Sequence, residues 1–77
     1  LSSTFSMMEI GALSEWDGHS LRELNLRAKY KVNVIGMKKN GVLDINPDAD
    51  SAVSKNDILV MIGKNETLNK LASMHSK

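Results

Sequence analysis

The sequence predicts an α+β fold, a small domain with elements in the order β-α-β-β-β-α and a mostly antiparallel sheet. Three observations lead there. Residues Phe5 to Leu13 mix β-formers in alternation, Ser20-Leu21-Arg22-Glu23 has the form of a helix capping box, and Asn40-Gly41 sits between two apolar runs as a two-residue hairpin signal.

In the first run, Met8, Ile10 and Ala12 share one face and Met7 and Glu9 the other, the period of a strand. Trp16-Asp17-Gly18-His19 then reads as a turn. In the capping box Ser20 accepts from the amide three residues on and Glu23 reaches back, starting a helix that buries Leu21 and Leu24. Asn25, a good N-cap, interrupts it and restarts a second short turn through Leu26, Arg27 and Tyr30.

Val32 to Lys38 is the next strand, and it is apolar on both faces except for Asn33. Asn40-Gly41 tolerates the positive φ of a type I′ turn and returns the chain into Val42 to Ile45, a short strand ended by Asn46-Pro47-Asp48. The stretch from Asp48 to Asn56 is polar and loop-like. Ile58 to Ile62 is again apolar on both faces and is closed by Gly63. Asn65 caps a last helix with Leu68, Leu71, Ala72 and His75 on one stripe.

Two short helices cover one face of so small a sheet. The strands at Val32–Met37 and Ile58–Ile62 offer apolar groups to both faces, as buried strands do. Ile35, Met37, Leu59 and Met61 therefore include side chains that the helices leave uncovered. A second copy of the chain, in a homodimer, is the simplest cover; a missing part of a longer parent chain is the alternative.

Composition narrows the function classes. At 77 residues the chain is one domain, with a folded core from about residue 5 to residue 72. It has no cysteine, which excludes a disulfide scaffold and thiolate zinc sites. Ten Lys and Arg against nine Asp and Glu leave a net charge of +1, too balanced for a nucleic-acid binder. The longest apolar run, Ile58 to Ile62, is far short of a membrane helix. The N-terminal LSSTFSMMEIG has neither the basic start nor the long apolar stretch of a signal peptide. It also lacks an initiator Met, which reads as a fragment excised from a longer protein.

No enzyme signature emerges. His19 and His75 have no acidic or Ser partner at a catalytic spacing, and read as surface or packing residues. Asp44, Asp48, Asp50 and Asp57 lack the register of a calcium loop, and the glycines form no phosphate cradle. No metal is expected. Arg27 and Asn33 stand out. Arg27 either pairs with Glu23, four residues earlier, or offers a fork to phosphate or carboxylate. Asn33 either satisfies backbone at a sheet edge or reads a base edge with its amide.

The run G-H-S-L-R-E-L-N-L-R-A-K-Y-K-V-N-V-I-G-M (18–37), the N-P-D-A-D loop (46–50) and K-N-D-I-L-V-M-I-G (55–63) together resemble the C-terminal regulatory domain of the RCK/TrkA-C family. Members carry G-x-x-L-x-x-L-x-L-R-x-x-Y-G-V-x-V, a loop with Pro and Asp, and G-D-x-L-x-V-x-G. The chain departs from that pattern twice. Lys31 stands at a Gly position, so a left-handed helix end must be held by Lys, and Asn56 replaces the Gly before Asp57.

The resemblance implies a homodimeric domain that follows a Rossmann-like nucleotide-binding domain in cytosolic gating subunits of potassium channels, uptake systems and antiporters. The wording is most similar to gating subunits of Ktr-type potassium uptake, which lie against the inner face of the membrane through their transporter partner. In that subgroup the domain binds cyclic di-AMP as a regulatory ligand between two protomers, with no resident cofactor. Carried over, Arg27 contacts phosphate, Asn33 the adenine edge, and Leu21 packs on the base. Arg22 occupies an aliphatic position, where only its methylene stem can cover a ring; Pro47 lies in the loop near the adenine. The alternative within the same family is a domain that only dimerises, or senses another ligand, in an antiporter, an anion transporter or a transcription regulator.

Overall fold

The computed structural model describes residues 4–75. Four strands, β1 (Phe5–Gly11), β2 (Asn33–Lys39), β3 (Val42–Asp44) and β4 (Ile58–Lys64), form one sheet in the order β1-β4-β2-β3, every neighbouring pair antiparallel. Helices α1 (Leu21–Leu24) and α2 (Leu26–Tyr30) connect β1 to β2, and α3 (Asn65–His75) follows β4. The predicted order of elements is present. The first strand ends two residues earlier than its alternation suggested, because Ser14–Trp16 forms a 3-10 turn. That turn carries Trp16, 2% exposed and the first residue of the predicted Trp16-Asp17-Gly18-His19 turn, into the core.

The central strand explains the two-sided apolar pattern. β4 pairs with β2 as Asn33↔Ile62 and Val34↔Met61, then as Gly36↔Val60, Met37↔Leu59 and Lys38↔Ile58. Ile35 is the extra residue of a β-bulge, which shifts the alternation of β2 by one. Val34 and Met37, three apart in sequence, thus both join the helix-covered side with Leu59 and Met61. Of the four strand residues suspected of lacking cover, Met37, Leu59 and Met61 are buried by their own chain. Ile35 remains open, at 37% exposure.

The helix-side core is completed by Ile10, Leu26, Val32, Val53, Leu68 and Leu71. Gly63 is required here, since a Cβ on it would stand 2.8 Å from Val32 Cγ1. On the opposite side of the sheet Phe5, Met7, Leu43 and Ile62 are exposed. There the Lys38 ammonium lies 3.0 Å from Glu9, so that this ion pair spans β4 above Val60.

Local signals map closely onto the backbone. The capping box is complete: Ser20 Oγ accepts from the Glu23 amide at 3.1 Å, and Glu23 Oε1 from the Ser20 amide at 2.8 Å. Asn40 and Gly41, at φ +51° and +80°, make the two-residue hairpin between β2 and β3. Asn25 does break the helix, but by adopting the left-handed conformation (φ +46°, ψ +51°) and not by a side-chain cap. Asn65 is the first helical residue of α3, and its side-chain oxygen accepts from the Ser6 hydroxyl. Asn56 is not at positive φ, so its replacement of Gly carries no strain.

Asp57, read as a loop acid, is a buried anchor at 4% exposure. Its carboxylate accepts from the Ser54 amide at 2.8 Å and from the Lys39 ammonium, which also donates to the Ala52 carbonyl. No buried side-chain nitrogen or oxygen among the described residues lacks a partner.

Lys31 closes α2 in the left-handed region (φ +60°, ψ +38°), its amide donating to the Arg27 carbonyl at 2.9 Å. A side chain there costs about 1–2 kcal/mol, partly offset by the entropy that Gly loses on folding. Lys31→Gly should therefore stabilise the domain by roughly 0.5–1 kcal/mol, raising the thermal midpoint by a few degrees. A lower midpoint would show that the lysine side chain contributes more than its backbone strain removes.

Candidate functional site

Between the α1–α2 segment and the loop after β3 lies an open cleft of about 650 Å³, within the size range of ligand pockets. Leu21, Arg22, Leu26 and Arg27 line it from the helices, Val32 to Ile35 from the start of β2, and Ile45 to Pro47 with Ala49 from the loop. All five residues that the family resemblance singled out, Leu21, Arg22, Arg27, Asn33 and Pro47, meet in this one cleft.

The local backbone accounts for the convergence. The left-handed turn at Asn25 redirects the helix so that Leu26 is buried while Arg27 remains exposed. Val34 faces the core, so alternation leaves Asn33 on the opposite side, and Ile35, the extra residue of the bulge, stands at the cleft wall. Bulges commonly re-aim a side chain beside a functional site. The loop wall is fixed by backbone bonds: Arg22 N–H donates to the Ala49 carbonyl at 3.0 Å, Gly18 N–H to Val53 at 2.8 Å, and Val53 N–H to His19 at 2.8 Å. Asx-type bonds add local stiffness, with Asp44 accepting from the Asn46 amide and Asp48 from the Asp50 amide, both at 2.9 Å.

Arg27 does not pair with Glu23. Its Nε and Nη2 donate to Asn33 Oδ1 at 3.1 and 3.0 Å. The two candidate ligand-reading side chains therefore hold each other, and Glu23 is occupied by the capping box, with His19 Nδ1 at 3.9 Å. With its oxygen engaged, the Asn33 amide has its NH₂ group left to donate. Arg27 is a guanidinium without a carboxylate partner among the described residues.

Arg22 is different. Its Nε lies 2.7 Å from Asp50 Oδ1 and its Nη2 3.4 Å from Oδ2, across the rim of the cleft. The hydrogen bond to Asp50, reinforced by its charge, raises the Arg22 pKa, and Asp48 adds to the effect. The same bond and charge hold the Asp50 carboxyl below its usual value. Glu23 is also lowered, first by the Ser20 amide bond. Asp50 was not among the residues singled out; no spacing rule pairs it with Arg22, which is distant in sequence. Ile35 was missed as a cleft residue because the bulge cannot be read from alternation, and Ile45 because it was expected to end the strand that stops at Asp44. His19 and His75 line no part of this cleft. Among the described residues no group of three or more His, Cys, Asp and Glu is placed to hold a metal, and no helix is long and apolar enough to cross a membrane.

Comparison with known proteins bears on this cleft. Residues 6–75 match the family model of the TrkA-C domain. The Ktr system potassium uptake protein C of Bacillus subtilis (strain 168) is 32% identical over 79 residues, covering 100% of this chain and 36% of the relative. The chain thus spans about a third of that relative's length. Among solved structures, the RCK C domain of the potassium transport protein KtrA in complex with cyclic diadenosine monophosphate superposes with a TM-score of 0.81 at 32% identity, covering 90% of this chain and 81% of that one. The RCK_C domain dimer of S. agalactiae BusR in complex with c-di-AMP shares the fold, with a TM-score of 0.76 at 19% identity over 92% of this chain and 96% of that one.

The lowered carboxyls set a pH dependence. Groups whose folded pKa is depressed supply stability that is present above their ordinary values, 4.5 for Glu23 and 3.8 for Asp50, and that is lost as pH falls through the lowered ones. A Glu23→Gln/Asp50→Asn variant should lose less stability between about pH 5 and about pH 3 than the parent chain, measured as the shift in urea midpoint. Equal losses would show that neither carboxyl is linked to folding.

Proposed function

The chain belongs to the TrkA-C domain family, and on that premise we propose that it is the ligand-sensing dimerisation domain of a potassium-transport gating subunit that binds cyclic di-AMP. The observation that carries the reading is the convergence of Leu21, Arg22, Arg27, Asn33 and Pro47 on one cleft. The KtrA domain, at comparable length and similar backbone, is a cyclic di-AMP complex, and the Ktr relative supports the transport context.

The chemistry of the cleft suits such a ligand. Arg27 offers a planar, permanently charged fork for phosphate, and the Asn33 amide, oriented by Arg27, donates its N–H to a ring nitrogen of adenine. Leu21 and Pro47 supply apolar surface for the base. Two of these clefts about a two-fold axis match a ligand with two adenines and two phosphates, so one molecule engages both copies of each residue. The second copy also covers apolar groups that the single chain leaves open, Ile35 at 37% and Ile45 at 78% exposure. Dimerisation thus comes first, and the ligand adds to its stability by mass action. In the full-length protein the domain acts on the cytoplasmic side, next to a nucleotide-binding domain and a membrane transporter subunit. Its role is binding and regulation, not catalysis.

The assembly is testable by light scattering. Micromolar protein should give twice the 8.5 kDa chain mass, and Ile35→Asp should give monomers or unfolded chain, since an unpaired buried charge costs several kcal/mol. A single-chain mass for the parent would refute the dimer.

Calorimetry addresses the ligand. One cyclic di-AMP should bind per two chains. Arg27→Ala removes charge-assisted bonds worth about 1.5–3 kcal/mol each from both protomers, and should weaken binding roughly 100-fold or more. Asn33→Ala should narrow the preference for cyclic di-AMP over cyclic di-GMP more than Arg27→Ala does. Absence of binding at tens of micromolar, or indifference to Arg27→Ala, would reduce the domain to a plain dimerisation module.

A further inference from the structure

Arg22 and Asp50 form a bidentate pair at the rim of the cleft, yet both side chains are mostly exposed, at 69% and 68%. Exposed pairs of this kind add little to folding stability. The loop bearing Asp50 does not need the pair to keep its place. It is bonded through its backbone to Arg22 and adjoins the Ser20–Ala52 bridge and the Gly18–Val53 and His19–Val53 contacts. Electrostatically the pair has a clearer effect. Of the two guanidinium groups lining the cleft, Arg27 is bound, among the described residues, only to a neutral amide, whereas Arg22 is neutralised by a carboxylate.

We propose that Asp50 is an internal competitor that withholds Arg22 from the ligand's phosphate and so lowers the affinity of the cleft for a doubly anionic nucleotide. Breaking an exposed ion pair is cheap, so removing the competitor turns Arg22 into a second phosphate-binding fork. Removing Arg22 instead leaves an unpaired carboxylate beside an anionic ligand. Removing both leaves the cleft close to its original net charge. This inference rests on the cyclic di-AMP reading above and names the residue pair that tunes that same site.

The test is a double-mutant cycle by calorimetry with cyclic di-AMP, using the parent chain, Asp50→Asn, Arg22→Ile and the double variant. Circular dichroism checks that each is folded. Asp50→Asn should tighten binding roughly 5- to 20-fold, since each of the two copies in a dimer gains one exposed charge contact. It should also make binding fall more steeply with added salt. Arg22→Ile should weaken binding, and Asp50→Asn added to it should restore affinity towards the parent value. If Asp50→Asn weakens binding or leaves it unchanged, Asp50 is a structural clasp or a bystander and the inference fails. If the parent chain binds no cyclic di-AMP at all, the ligand assignment fails instead, and the two failures are told apart by that first titration.

Discussion

The bulge at Ile35 is the constraint on which the rest of the molecule depends. A strand beside the central β4 must keep its alternation in phase with Leu59 and Met61, because those side chains are completely buried. Inserting one residue lets β2 satisfy that demand twice, with Val34 before the bulge and Met37 after it. Alternation from Val34 leaves Asn33 outside the core, and the inserted Ile35 stands at the cleft wall. Core packing and cleft geometry are thus set by one irregularity.

Around it, the fold is held by short polar connections suited to a domain whose core cluster has twelve buried apolar residues among those described. Asp57 gathers a loop amide and the Lys39 ammonium at the end of β2. Backbone bonds from Gly18, Arg22 and Val53 tie the loop before β4 to the start of α1. A buried carboxylate is costly unless it is satisfied in this way, while the backbone bonds hold Ala49 and its loop as one wall of the cleft. The walls are therefore ordered before any ligand arrives, and little ordering cost remains for binding.

Much of this was legible in the sequence where one local rule decides the outcome. Ser20 and Glu23 announced their capping box and Asn40-Gly41 its turn, because each depends on neighbours within four residues; the left-handed helix end at Lys31 followed from the family pattern, which has Gly there. Readings failed where tertiary packing decides. Alternation gives no sign of a bulge, so Ile35 and Met37 looked equivalent although one is open and the other buried. Trp16 and Asp57 lie among turn and loop residues in the sequence, yet tertiary packing buries both. Arg27 has Glu23 at helical spacing, but the left-handed Asn25 between them interrupts the helix, and Asn33 takes its place as partner. Arg27 and Asn33 stand out from their chemistry, and Leu21, Arg22 and Pro47 only from resemblance to a family; the meeting of all five in one cleft cannot be read from their order along the chain.

In the proposed assembly two copies of this cleft share one symmetric, doubly anionic nucleotide. A crystal structure of the 77-residue chain grown with cyclic di-AMP tests it most directly. The account predicts the ligand on the two-fold axis between protomers, with each phosphate at the guanidinium of an Arg27 and each adenine at an Asn33 amide. Ligand bound anywhere else, or a dimer whose contact surface excludes the cleft, would contradict it.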